Sequence, residues 1–100
     1  MIRVKDVEAG MDYIIKNEEV TLLVEQRKNQ TKNHIIDQYI EIRKKKGLSQ
    51  EKIAQLTGMA RTNIVRIERK TNMPTIDVLV KLADAMDMDL EIKFVERVTK

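Results

Sequence analysis

Within LSQEKIAQLTGMARTNIVRIERK, residues 48–70, four polar side chains fall inside six positions: Arg61, Thr62, Asn63 and Arg66. On a helix, positions 62, 63 and 66 are neighbours, with Arg61 at the N-terminal end. The chemistry open to such a set is planar hydrogen bonding. A guanidinium matches the O6/N7 pair of guanine, and a carboxamide the N6/N7 pair of adenine. Each good bidentate contact gives about 1–3 kcal/mol of discrimination between bases. The major groove of DNA admits one α-helix, and residues near that helix's N-terminus reach the base edges. Gln50, at the start of the preceding helix, is placed to meet phosphate together with the backbone N–H groups there. Arg69, Thr71 and Asn72 follow the same helix and reach the same backbone, and Lys46 of RKKKG is a further phosphate candidate.

Other chemistries have little to work with. There is no cysteine and a single histidine, His34, so a metal site is not expected. Asp84, Asp87, Asp89 and Glu91 lack the glycine-bearing loop of calcium ligation and read as a solvated face. No Ser/His/Asp grouping, glycine-rich phosphate loop or pair of acids in an apolar setting occurs, so the chain is expected not to be an enzyme. No cofactor and no small-molecule substrate is implied. Glu68 reads as the structural partner of a nearby Arg or backbone N–H rather than as a base reader.

These side chains need a scaffold that turns one helix across another. Two short helices cross steeply only where their backbones approach closely, which needs a small residue inside the first and a permissive one in the turn. Ala54 and Gly58 supply these, and Ile64 fills the space between. Ser49 is the expected N-cap of the first short helix, with Leu48 and Ile53 as a hydrophobic staple; Lys52 stands where a capping box needs Glu or Gln. Ile53, Ala54 and Leu56 are expected inside, as are Ile64 and Ile67. Pro74 closes a loop, Thr75 caps a fourth helix, and Val78, Leu79, Leu82, Ala83 and Met86 form its apolar stripe. Met73, Met86 and Met88 read as core filler.

Upstream, Ile35, Ile36, Tyr39, Ile40 and Ile42 recur at helical spacing after a cap at Thr31 or Asn33. Arg43–Lys46 crowd the last turn, and Gly47 is a left-handed stop. An earlier helix is expected from an Asn17 cap, with Val20, Leu23 and Leu22 as its stripe, ending in a turn at QRKNQTKN. Gly10 interrupts any helix begun at Asp6, and Ile2 and Val4 alternate briefly. At the far end LEIKFVE alternates strictly, with Leu90, Ile92 and Phe94 on one face; that is strand periodicity. Its apolar face and free edges suit pairing with a second copy, or an edge strand within one chain alongside Ile2–Val4.

One hundred residues make one small domain with a short appendage. The net charge is +3, but residues 31–75 carry ten Lys/Arg against four Asp/Glu, while both flanks are slightly acidic. A focused positive field suits a polyanion, and it also suits a solvated helix face. No apolar run nears the ~18 residues of a membrane span, and MIRVKDVEAG lacks a signal-peptide core, so a cytoplasmic location is expected.

SQEKIAQLTGMARTNIVRIE followed by PTIDVLVKLADAM resembles the Xre-type (Cro/repressor-like) helix-turn-helix family. The likeness covers roughly residues 33–88 and rests on RKKKGLSQ, the Ala54/Gly58 pair, IVRIE and the proline before the closing helix. It implies a compact helical domain, and with the periodicities of the flanks the expected fold is mainly α: a lambda-repressor-like helix-turn-helix bundle over residues 31–88, a helical extension over 1–30 and a short β-strand within 89–100. It implies a homodimer that binds double-stranded operator DNA as a transcriptional repressor. The family's base-contacting positions fall on Arg61, Thr62, Asn63 and Arg66, and its phosphate contact on Gln50. Where the family often has Ser or Thr, this chain has Ala60. With both flanks included, the chain looks like HigA-type antitoxins, which implies a toxin partner and repression of its own operon. A stand-alone regulator, or a protein-interaction module that neutralises a partner through residues 1–30, are the alternatives. Leu90, Ile92 and Phe94 are the expected dimerisation residues.

Overall fold

The computed structural model describes residues 10–98. Among them are four helices: α1 (Gly10–Lys45), α2 (Gln50–Thr57), α3 (Arg61–Glu68) and α4 (Ile76–Ala85). The chain divides into two units between His34 and Ile35.

The helical stretch before that division corrects one expectation. No cap at Asn17 and no turn at QRKNQTKN occur; α1 runs unbroken through both. The reason is compositional. That run is polar, but it holds no Gly or Pro and consists largely of Gln, Lys and Arg, which favour helix. An exposed Glu25–Lys28 ion pair at 3.0 Å, three residues apart, adds a little local support. Val20, Leu22, Leu23 and Val24 are all exposed. His34 sits inside α1 and is exposed too. The Ile2–Val4 alternation lies outside the described residues.

From Ile35 onward the chain builds a core. Ile36, Ile53 and Ile64 are completely buried, and Tyr39, Ala54, Leu79, Leu82, Ala83 and Met86 nearly so. α1, α2, α3 and α4 each contribute at least one of these side chains. The local chemistry sets the breaks between helices. The Leu48 N–H bonds the Arg43 carbonyl at 3.0 Å, closing α1 around Gly47, whose φ of +70° is cheap only for glycine. Ser49 Oγ accepts the Lys52 N–H at 3.0 Å, and Leu48 packs on the cluster that holds Ile53, as a staple requires. Gly58, at φ +73°, ends α2. Thr75 Oγ1 accepts the Val78 N–H at 3.2 Å and starts α4.

Three packing expectations are corrected. Leu56 is half exposed, because an eight-residue helix with Ile53 and Ala54 inward turns position 56 outward. Met73 and Met88 are exposed, and only Met86 fills the core. Among the described residues there is no strand: LEIKFVE lies outside every helix and joins no ladder. Alternation describes two faces, whereas a strand also needs a neighbouring backbone to complete its hydrogen-bond ladder. Among the described residues the segment has none, and Phe94 stands fully exposed.

Candidate nucleic-acid interface

The site is built outward from α3. Ile64 points into the core, so the opposite side of an eight-residue helix must face solvent. Arg61, Thr62, Asn63 and Arg66 are all exposed, as is Arg69 just past the helix. Ala60 is the N-cap and makes no side-chain bond, so the first N–H groups of α3 lack the usual hydroxyl. The Asn63 and Ile64 N–H groups instead bond the Ala60 carbonyl at 2.9 and 3.2 Å.

The outer face is not uniform. Arg61, Thr62, Val65, Arg66, Arg69 and Thr71 line one open depression of about 370 Å³. Asn63 falls on the other side of the helix and borders a second depression with Arg66, Asn72, Met73 and Pro74. Arg66 lines both. Val65 was not among the candidate residues. Its signal was present in the sequence, one helical turn beyond Arg61, but an apolar side chain beside Ile64 reads as core.

What holds this face at a fixed angle is a carboxylate on the inner side of α3. Glu68 gathers donors from α1 and α2. The Tyr39 hydroxyl donates to Oε2 at 2.9 Å, Arg43 Nη2 to Oε1 at 3.0 Å, and Gln50 Nε2 to Oε1 at 3.0 Å. Arg43 Nε lies 2.8 Å from Oε2, so guanidinium and carboxylate face each other as a two-pronged ion pair. The Arg43 and Glu68 side chains are only 10% and 8% exposed. Arg43 Nη1 also donates to the Leu48 carbonyl at 2.8 Å. Burial first, then the Glu68 charge and hydrogen bond, push the Tyr39 hydroxyl well above the usual tyrosine range, against a smaller opposing pull from Arg43. The end of α3 is fastened again where Lys70, at φ +62°, pairs with Asp37 at 2.6 Å.

Two phosphate candidates have inward partners. Gln50 is half buried and commits one amide N–H to Glu68, leaving the other and its carbonyl. The Lys46 ammonium donates to the Met86 carbonyl at 2.6 Å and so serves the end of α4. Arg69, Thr71 and Asn72 are exposed beside α3. Of the dimerisation candidates, Leu90 is half buried, while Ile92 and Phe94 are exposed. No helix among the described residues is long and apolar enough to cross a membrane.

The helix-turn-helix family model matches residues 40–93, which covers α2, α3, α4 and the end of α1. No curated protein and no solved structure shows a significant match to the chain.

Proposed function

The chain belongs to the helix-turn-helix family of DNA-binding regulators, and from that premise we propose that it is a sequence-specific repressor of double-stranded DNA. The observation that carries this reading is the outer face of α3, where three guanidiniums and two hydroxyls ring one open depression. In this reading α3 enters the major groove. Arg61, Thr62, Asn63 and Arg66 meet base edges, and Gln50, Arg69, Thr71 and Asn72 meet phosphates, with Lys46 the weakest phosphate candidate. Affinity for a duplex selected from a random library should fall steeply with added salt, because each phosphate contact releases counterions. Arg66→Ala should cut the preference for the selected duplex over a scrambled one by about tenfold or more. Arg69→Ala should weaken both duplexes alike. A wild-type chain that enriches no sequence, or an Arg66→Ala chain that keeps full preference, overturns the assignment.

The chain acts as a homodimer in this reading. Residues 89–98 supply the pairing edge, and Leu90, Ile92 and Phe94 supply the apolar face between copies. A two-fold protein fits a two-fold operator.

A second reading is favoured by a specific observation. Val20, Leu22, Leu23 and Val24 lie exposed within two turns of α1, more large apolar side chains than a solvated helix needs. In the antitoxin reading this segment captures a toxin protein, and the same chain represses the operon that encodes both. Deleting residues 1–30 separates the roles: DNA binding should persist while capture of a small basic protein encoded beside it is lost. Unchanged capture would exclude the segment as the neutralising part.

A further inference from the structure

We propose that Val65 is a base reader, accepting the 5-methyl group of a thymine that adjoins a guanine contacted by Arg66. The inference rests on the DNA-binding reading above and names what one part of that face selects. Three observations point to it. Val65 is the one apolar side chain lining the depression, between Arg61 one turn before it and Arg66 beside it. It is half buried. And it is not among the partly buried apolar side chains that pack against the largest buried cluster around Ile53 and Ile64, whereas Ile67, two residues on, and Met59 are. Packing on the cluster of Tyr39, Ile53, Ala54, Ile64, Leu82 and Met86 therefore does not account for Val65.

Among the groups on the major-groove edges of the four bases, the thymine methyl offers the largest apolar surface; cytosine has a bare C5–H there, and the remaining groups are hydrogen-bond donors and acceptors. A β-branched side chain on a helix is confined largely to one χ1 rotamer, so Val65 cannot swing aside. A polar group brought against it loses water without gaining a partner, and thymine gains over the bare C5–H of cytosine by burying one methyl. The methyl of Thr62, three residues before, widens the same apolar floor. Arg66 is the next residue and lines the same depression, so in this reading its guanidinium meets the same or an adjoining base pair. A guanidinium prefers guanine O6/N7. The combination selects a thymine–guanine neighbour pair, where the arginines alone would select only guanine.

The experiment starts from duplexes that the full wild-type chain enriches from a random library. If nothing is enriched, the DNA-binding reading itself fails. If a site is enriched without a thymine beside a guanine, that reading stands and this inference falls. Within an enriched site, each thymine is replaced singly by deoxyuridine, which removes the 5-methyl and nothing else. One such replacement should weaken wild-type binding about fourfold, the worth of one buried methyl-sized group. In Val65→Ala the same replacement should cost less than about 1.5-fold, and Val65→Thr, which puts a hydroxyl where a methyl stood, should behave likewise. Thermal melting by circular dichroism confirms that each variant is folded. Equal thymine sensitivity in wild type and both variants, or none in wild type, overturns the proposal.

Discussion

α1 contains two stretches with the same helical spacing and opposite fates. Between residues 35 and 43, Ile36, Tyr39 and Arg43 are buried. Between residues 20 and 24, Val20, Leu23 and Val24 have the spacing of an amphipathic stripe and stay exposed, with Leu22 beside them. Apolar periodicity therefore shows which side of a helix could be covered, not whether anything covers it. Three features separate the two stretches: a second element within reach, a buried charge that needs a partner, and a cap or glycine that stops the chain so it can return. The later stretch has all three, in α2–α4, Glu68 and Gly47. Among the described residues the earlier one has none.

The largest expected effect tests the buried charge. Removing one partner of a buried ion pair leaves the other unpaired and typically costs about 3–5 kcal/mol. Glu68→Ala would leave the Arg43 guanidinium and the Tyr39 hydroxyl without their acceptor. Because a small domain has only about 5–15 kcal/mol in total, urea denaturation should find this variant largely unfolded or close to it. Replacing both partners, Arg43→Met with Glu68→Leu, should recover most of the loss. If Glu68→Ala melts like wild type, the pair is not what holds α3 in place.

Next in size is a direct contrast between regions. Ile64→Ala empties a fully buried site in the core and should cost about 2–5 kcal/mol. Leu23→Ala removes a side chain of similar size from an exposed surface and should stay within about 0.5 kcal/mol. Denaturation of the two variants side by side measures both. A Leu23→Ala cost approaching that of Ile64→Ala would mean the earlier stripe is covered in solution, and the contrast would break. Repeating the pair with a captured partner present would sharpen it, since the Leu23 cost should then rise and the Ile64 cost should not.

What could be read from the sequence follows the same division. Ser49, Thr75, Gly47, Gly58, Ala54 and Ile64 were each legible, because a cap, a left-handed turn or a close crossing is decided within a few residues. The exposed face of α3 was legible for the same reason. The unbroken α1 was not: Asn and Thr in a polar run suggest a turn, but without Gly or Pro they do not impose one. The tail pattern was read as a strand because alternation carries no information about whether an edge is available. Glu68 was recognisable as some cation's partner, yet the identity of its donors depends on residues 18, 25 and 29 positions away. The inward bonds of Gln50 and Lys46 escaped notice for that reason too, and Val65 was hidden by its neighbour Ile64.

The smallest expected effect is also the most specific to the buried hub. The chain has two tyrosines and no tryptophan, so tyrosinate absorbance in a Tyr13→Phe background reports Tyr39 alone. Burial and Glu68 hold the Tyr39 hydroxyl protonated beyond the usual tyrosine value of about 10. A raised folded value means the folded state keeps a proton that the unfolded state releases. The associated stability is therefore fully present below about pH 10 and is lost as pH rises further toward the folded value. Tyrosinate should accordingly appear later in the folded chain than in urea. Tyr39→Phe should cost about 1–3 kcal/mol at neutral pH through the lost charge-assisted bond to Glu68. That difference from Tyr39 should shrink above pH 10, because ionised Tyr39 would face the Glu68 carboxylate as a like charge. If Tyr39 ionises at the same pH folded and unfolded, the hydroxyl is not enclosed against Glu68, and the inner fastening of α3 would rest on Arg43 and Gln50 alone.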